Sequence, residues 1–288
     1  MKPPPFDYVA PDTIDGALAV LTEHGDEAQP LAGGQSLVPM LSLRVARPSV
    51  LLDLNRIASL SGISVEGDVI RVGAMTRQVD VLRSADIAQR LPSFADAVRL
   101  VGHFQTRNRG TIGGSVSLGE PAAENPAFAV ALDAELTLQS ASGTRTVKAR
   151  DFYTGPYMTL RRDDELLTSI AYRPPANARI GIEEVAQRKG DFALTGMVAS
   201  LCVEGGKISD ARLAWLGMAS TPVRARAAEA ALLGASVAGL DLAGLADLAL
   251  TETEPSDDGH ATAAYRRDAG RTVFARLIGR LLHEGTAR

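Results

Sequence analysis

This sequence predicts an α+β fold of more than one layer, and three observations carry that expectation. Short apolar runs flank turn residues at Gly67-Asp68 and at Ser142-Gly143, the signal of antiparallel hairpins. Apolar residues recur at helical spacing elsewhere, most clearly Phe94, Ala97, Val98 and Val101. Strand-like and helix-like segments do not alternate regularly, which argues against a doubly wound parallel sheet. With 288 residues, 45% of them hydrophobic and 22% charged, the chain has the size and composition of two or three globular units.

The first unit, residues 1–54, reads as βαβ-like. Pro11-Asp12-Thr13 offers cap chemistry to a helix with Ile14, Ala17, Leu18 and Leu21 on one side. Residues 29–32 make a short strand, 37–44 a helical turn or two, and 49–54 an apolar strand suited to burial on both faces. The second unit covers 55–175. It opens with a hairpin of 63–66 and 69–72 and continues with helices over 76–83, 94–101 and 127–132. A hairpin of 135–139 and 144–148 follows, and a strand over 166–172 closes the unit. Pro174-Pro175 begins a linker. The third unit, 178–288, is a C-terminal domain of antiparallel sheet and helices. Strands 199–204 and 208–215 meet across Gly205-Gly206, and helical stretches lie near 222–234, 240–250 and 262–283.

Several classes of function are disfavoured. A formal net charge of −4 offers no electrostatic attraction for nucleic acid or anionic membrane. No apolar run approaches the roughly 20 residues that span a bilayer. Met1-Lys2-Pro3-Pro4-Pro5-Phe6 lacks the apolar core of a signal peptide, so a cytoplasmic location is expected. The single cysteine, Cys202, excludes intrachain disulfides and any multi-cysteine iron–sulfur or metal site, and its apolar neighbours make it a core residue. His24, His103, His260 and His283 lack metal-ligand spacing, so no metal site is expected.

Two glycine-rich segments carry the chemistry. Ala32-Gly33-Gly34-Gln35-Ser36-Leu37 and Arg109-Gly110-Thr111-Ile112-Gly113-Gly114-Ser115 each pair adjacent glycines with hydroxyl residues. Glycine lets backbone approach a ligand and aim successive N–H groups at it, while hydroxyls add donors for phosphate oxygens. Neither segment matches G-x-G-x-x-G or the P-loop, and no P-loop lysine is present. That pattern suits a pyrophosphate without a transferable phosphoryl group. On spacing alone, two tight turns with no ligand are the alternative.

Residues 32–37, the Leu52-Asp53-Leu54 strand end and residues 107–115 together resemble the flavin subunit of molybdenum hydroxylases. That family includes carbon monoxide dehydrogenase and the middle portion of xanthine dehydrogenase. Glu120-Pro121-Ala122-Ala123-Glu124 and Arg188-Lys189-Gly190-Asp191-Phe192-Ala193 extend the resemblance over essentially the whole chain. It implies a two-subdomain FAD-binding fold of the vanillyl-alcohol-oxidase type, followed by the C-terminal domain. It places the FAD pyrophosphate between Ala32, Gly33, Gly34, Gln35, Ser36 and Leu37 on one side and Thr111, Ile112, Gly113, Gly114 and Ser115 on the other. Gln35 and Ser36 would donate hydrogen bonds. Glu124 would accept from the adenosine or ribitol end, and Leu167 and Phe192 would pack near the isoalloxazine.

The family's implied partners are a large subunit with the molybdenum cofactor and a small subunit with two [2Fe–2S] clusters, assembled as a dimer of heterotrimers. No acid–base or nucleophilic constellation is readable in this chain, as suits an electron-transfer module. The alternatives are a free-standing FAD oxidoreductase and a non-catalytic flavin-binding assembly component. Two departures stand out: Leu118-Gly119-Glu120 precede Pro121, and Glu183-Glu184 stand where the family often has a lysine. The last helix carries Arg266, Arg267, Arg271, Arg276 and Arg280 beside apolar residues, so it either packs on its own domain or docks on a partner.

Overall fold

The computed structural model describes residues 2–283; the end of the third expected unit, 284–288, lies outside them. The chain begins with β1 (Asp7–Val9), α1 (Ile14–His24), β2 (Ala28–Leu31), α2 (Leu37–Ser42) and β3 (Val50–Asp53). The strands form a parallel sheet in the order β1-β3-β2. The Thr13 hydroxyl accepts from Gly16 N at 3.1 Å and starts α1. Ala17, Leu18 and Leu21 on the apolar stripe of α1 pack on Val50 and Leu52. β1 was not legible, because it is three residues long and mostly exposed and gains its strand character only from pairing with β3.

The middle of the chain runs through β4 (Ile63–Glu66), β5 (Val69–Gly73), α3 (Gln78–Arg83), α4 (Ala85–Arg90), α5 (Pro92–Leu100) and α6 (Phe104–Arg109). It continues with α7 (Ile112–Leu118), α8 (Glu124–Ala131), β6 (Glu135–Ser140), β7 (Gly143–Lys148), β8 (Tyr153–Gly155), β9 (Met158–Thr159) and β10 (Leu166–Tyr172). An antiparallel sheet in the order β4-β5-β10-β6-β7 contains both expected hairpins. Helices α5 and α8 and strand β10 meet at an aromatic cluster. Ring centroids lie 4.9 Å apart for Phe94–Phe128 and 5.0 Å for Phe94–Tyr172.

The second glycine segment, expected as a loop, is the start of a helix. Gly113 and Gly114 each disfavour helix by about 1 kcal/mol relative to alanine. Tertiary contacts override this: the Thr111 hydroxyl accepts from Gly114 N at 3.0 Å, and Gly113 is clasped by Ala74.

The remaining elements are β11 (Arg179–Ala186), β12 (Ala193–Glu204), β13 (Lys207–Leu216), β14 (Val223–Arg224), α9 (Arg226–Leu232), α10 (Leu242–Ala249) and α11 (Ala263–His283). They form an antiparallel sheet in sequence order with helices on one face. Strand alternation sends Val198, Ala214 and Leu216 toward the core that holds Phe94 and Phe128. Met197, Ala199, Leu213 and Trp215 face the other way, onto Phe274, Leu277 and Ile278 of α11. The apolar side of α11 thus packs on its own sheet. Four of its five arginines are engaged within the chain too: Arg271 pairs with Asp247 at 2.7 Å and Arg280 with Glu183 at 2.6 Å, Arg266 reaches Asp258 and Leu194 O, and Arg267 donates to Thr253 O at 3.0 Å. β11 escaped sequence reading because Gly181 and Glu183-Glu184 break its alternation. Gly181 lets α11 approach: a Cβ there would lie 3.1 Å from Leu277 Cδ1.

Candidate functional site

The two glycine segments, nearly eighty residues apart in sequence, touch backbone to backbone. A Cβ on Gly33 would sit 2.4 Å from Arg109 O and 2.8 Å from Gly110 Cα, and one on Gly114 would sit 3.3 Å from Ala32 Cβ. Gly34 has φ 73°, a left-handed conformation that turns the chain from β2 toward α2. Among the described residues, no protein acceptor takes up the N–H groups of Gly33, Gly34, Gln35 or Ser36. Four successive donors are therefore free beside the join, and the Gln35 amide folds back to Gly33 O at 3.3 Å.

The second segment is built differently. Its N–H groups bond inside the protein: Ile112 to Thr76 O at 3.0 Å, Gly113 to Ala74 O at 2.8 Å and Ser115 to Thr111 O at 3.2 Å. Thr111 and Ile112 are buried, and Ser115 is half-buried. This segment is a rigid abutment, while the first supplies the free donors.

A cleft of about 440 Å³ opens at the join, lined in part by Ala32, Gly33, Gly34, Gln35, Asp53 and Arg109. Asp53 ends β3 and accepts from the Tyr8 hydroxyl and from Asn55 N at 2.8 Å. Burial works against its ionisation, yet the hydrogen bonds from Tyr8 and Asn55 and the charge of Arg109 hold its carboxyl below the usual range. Asn55 also donates to Ala32 O at 3.0 Å. Arg77 joins this group by donating to Asn55 Oδ1 and to Arg109 O. Burial and the neighbouring Arg109 charge both press the Arg77 pKa down. Arg109 and the free N–H groups of Gly33, Gly34 and Gln35 on the lining, with Arg77 bonded to Asn55 and Arg109 O behind it, outweigh the one carboxylate of Asp53 and make an anion-seeking cleft. Asn55 and Arg77 escaped sequence reading because they lie outside both segments; the Leu-Asp-Leu strand end was the only signal near them.

Of the expected site residues, Ala32, Gly33, Gly34 and Gln35 line this cleft, whereas Ser36, Leu37, Thr111, Ile112, Gly113, Gly114, Ser115, Glu124, Leu167 and Phe192 do not. Glu124 begins α8 and is 3% exposed. Burial, and then the neighbouring Glu184 carboxyl, push its pKa up to about 8. Glu184 on β11 is raised to about 7 by burial and by Glu183, and its Oε2 is buried without a partner. Both amide atoms of Asn125 are also buried and unpartnered. Leu167 belongs to the core of the middle sheet, whereas Phe192, between β11 and β12, is 56% exposed. Glu120, one of the two departures, accepts from Ala122 N at 3.1 Å and from the Tyr157 hydroxyl, tethering the β8–β9 hairpin.

Residues 4–172 match the family profile described as the FAD binding domain in molybdopterin dehydrogenase, and residues 182–281 match the CO dehydrogenase flavoprotein C-terminal domain. The carbon monoxide dehydrogenase medium chain of Hydrogenophaga pseudoflava is 36% identical over 291 residues, covering 100% of this chain and 99% of the relative. Subunit alpha of the 6-hydroxypseudooxynicotine dehydrogenase complex of Paenarthrobacter nicotinovorans is 37% identical, covering 98% and 96%. Among solved structures, reconstituted CO dehydrogenase from Oligotropha carboxidovorans superposes with a TM-score of 0.96 at 36% identity, covering 99% of this chain and 100% of that one. Paired glycine segments, the anion-seeking cleft at their join and full-length matches to both halves lead to one conclusion: the chain belongs to the family of FAD-binding medium subunits of molybdenum hydroxylases.

Proposed function

We propose that this chain is the electron-transfer subunit of a molybdenum hydroxylase assembled as a dimer of heterotrimers, and that the cleft holds the FAD pyrophosphate. The free N–H groups of Gly33, Gly34, Gln35 and Ser36 carry this reading, because a row of unsatisfied donors beside Arg109 and Arg77 calls for an anionic ligand. Ala32 and Leu37 shape the first segment. Thr111, Ile112, Gly113, Gly114 and Ser115 form the abutment, with the Ser115 hydroxyl available to a phosphate oxygen. Glu124 would accept from the adenosine or ribitol end, and Leu167 and Phe192 would pack near the isoalloxazine. When bound, FAD would take electrons from [2Fe–2S] clusters in a small partner and pass them to an external acceptor, while a large partner holds the molybdenum cofactor.

The relatives are named for carbon monoxide, caffeine and 6-hydroxypseudooxynicotine, although their corresponding chains are about equally similar to this one. That spread supports placing substrate choice in the large partner. The units 1–54, 55–175 and 178–288 are proposed as two FAD-binding subdomains and a C-terminal domain.

The test is reconstitution. The purified chain is expected to take up FAD stoichiometrically, and to reduce an artificial acceptor only when both partners and substrate are present. Failure to take up FAD, or substrate oxidation by the chain alone, would overturn the reading.

A further inference from the structure

Arg77 stands at the only described place where both glycine segments are bonded to one side chain network. Its backbone belongs to the second segment: residue 77 forms an isolated antiparallel bridge with Thr111, flanked by Gln78 N to Gly110 O at 2.9 Å and Ile112 N to Thr76 O at 3.0 Å. Its side chain reaches the other way. One guanidinium nitrogen donates to Arg109 O, the oxygen against which Gly33 packs, and the other donates to Asn55 Oδ1. Asn55 in turn donates to Ala32 O, the carbonyl that leads into the first segment.

Local structure does not account for this side chain. Arg77 occupies the N-cap position of α3, where its donor-only side chain cannot cap the helix N–H groups and reaches away instead. It is half-buried beside a second cation, Arg109, a cost offset by the charges of Asp80 and Asp53 and by the hydrogen bonds the guanidinium makes. Only a planar fork with several fixed donors can hold two acceptors from two different parts of the chain at once.

We propose that Arg77 is the positioning residue of the dinucleotide site: through Asn55 and Arg109 O it sets the spacing of the two glycine segments on which FAD binding depends. The proposal rests on the reading of the cleft as the FAD pyrophosphate site. Arg77 acts through the backbone it holds; direct contact with the ligand is not required.

The test uses the intact chain freed of FAD, with Arg77→Met, Arg77→Lys and Asn55→Leu. FAD affinity and release rate are read from flavin fluorescence, and fold integrity from thermal melting of the FAD-free protein. Arg77→Met is expected to weaken FAD binding roughly ten- to hundredfold, the loss of one or two hydrogen bonds from a charged donor, with faster release and an unchanged FAD-free melting temperature. Arg77→Lys is expected to fall between, since an ammonium keeps the charge but cannot span both acceptors. Asn55→Leu should match Arg77→Met, and the double variant should be no worse than either, as members of one bridge behave. The proposal is overturned if Arg77→Met and Asn55→Leu bind FAD like the parent, if Arg77→Lys binds like the parent, or if lost affinity tracks a lowered FAD-free melting temperature. A parent chain that takes up no FAD would instead bring down the reading of the cleft itself, and this proposal with it.

Discussion

At the scale of single residues, the same residue type does unlike work in the two segments. Gly34 is needed for its left-handed backbone and Gly33 for a contact with Arg109 O, whereas Gly113 is needed because Ala74 leaves no room for a side chain. The two segments show five glycines and three hydroxyls, and from these the meeting of the segments is legible. Which N–H groups remain free is not, because that depends on Thr76 and Ala74, residues that sequence spacing does not connect to the motif.

Glu124 illustrates a second residue-scale effect. Its carboxyl ionises near the ordinary 4.5 in the unfolded chain but only near 8 when buried. Below about pH 4.5 both states hold the proton; between there and about 8 the folded chain keeps a proton that the unfolded chain has lost, so stability falls as pH rises. By pH 7 the penalty is on the order of 3 kcal/mol, and Glu184 adds to it in the same direction. Glu124→Gln in the FAD-free chain is therefore expected to flatten the fall in melting temperature between pH 5 and 9 and to raise it at pH 8. An unchanged slope would show that the proton is held elsewhere.

At the scale of elements, hairpins and amphipathic helices were readable because each carries its own turn or stripe. The first hairpin (Gly67-Asp68) and α1 need nothing from the rest of the chain to be recognised. Helix α7 and strand β11 were not readable, since packing against Ala74 and α11 outweighs poor local propensity. Adding a methyl to α7 separates the two influences. Gly113→Ala improves helix propensity by about 1 kcal/mol. It also places a Cβ 2.6 Å from Ala74 Cα and O, backbone atoms of the strand end that α7 leans on. The expected outcome is a lower melting temperature, a net loss of roughly 1–3 kcal/mol of the kind overpacking produces. A rise would mean that propensity governs α7 after all.

At the scale of the whole molecule, the antiparallel sheet of β11 to β14 is covered on both faces, but only one cover is its own. Helices α9 to α11 close one side; Phe94 and Phe128 from the middle of the chain close the other. Residues 178–283 expressed alone would present Ile182, Val198, Ala214 and Leu216 to water. That fragment is expected to bind a hydrophobic dye and lack a cooperative melt, while calorimetry of the full chain shows the middle and last sheets unfolding in one transition. A soluble fragment with a sharp melt of its own would contradict this.

The unequal build of the two glycine segments has a consequence for damaged chains. The abutment is woven into the core, so lesions in it lower the stability of the whole subunit. In the donor-bearing segment Gln35 is exposed and its amide is unspent, so lesions at that position spare the fold. They would yield a sound but colourless subunit, able to occupy a position in a larger assembly while interrupting the path that runs through it.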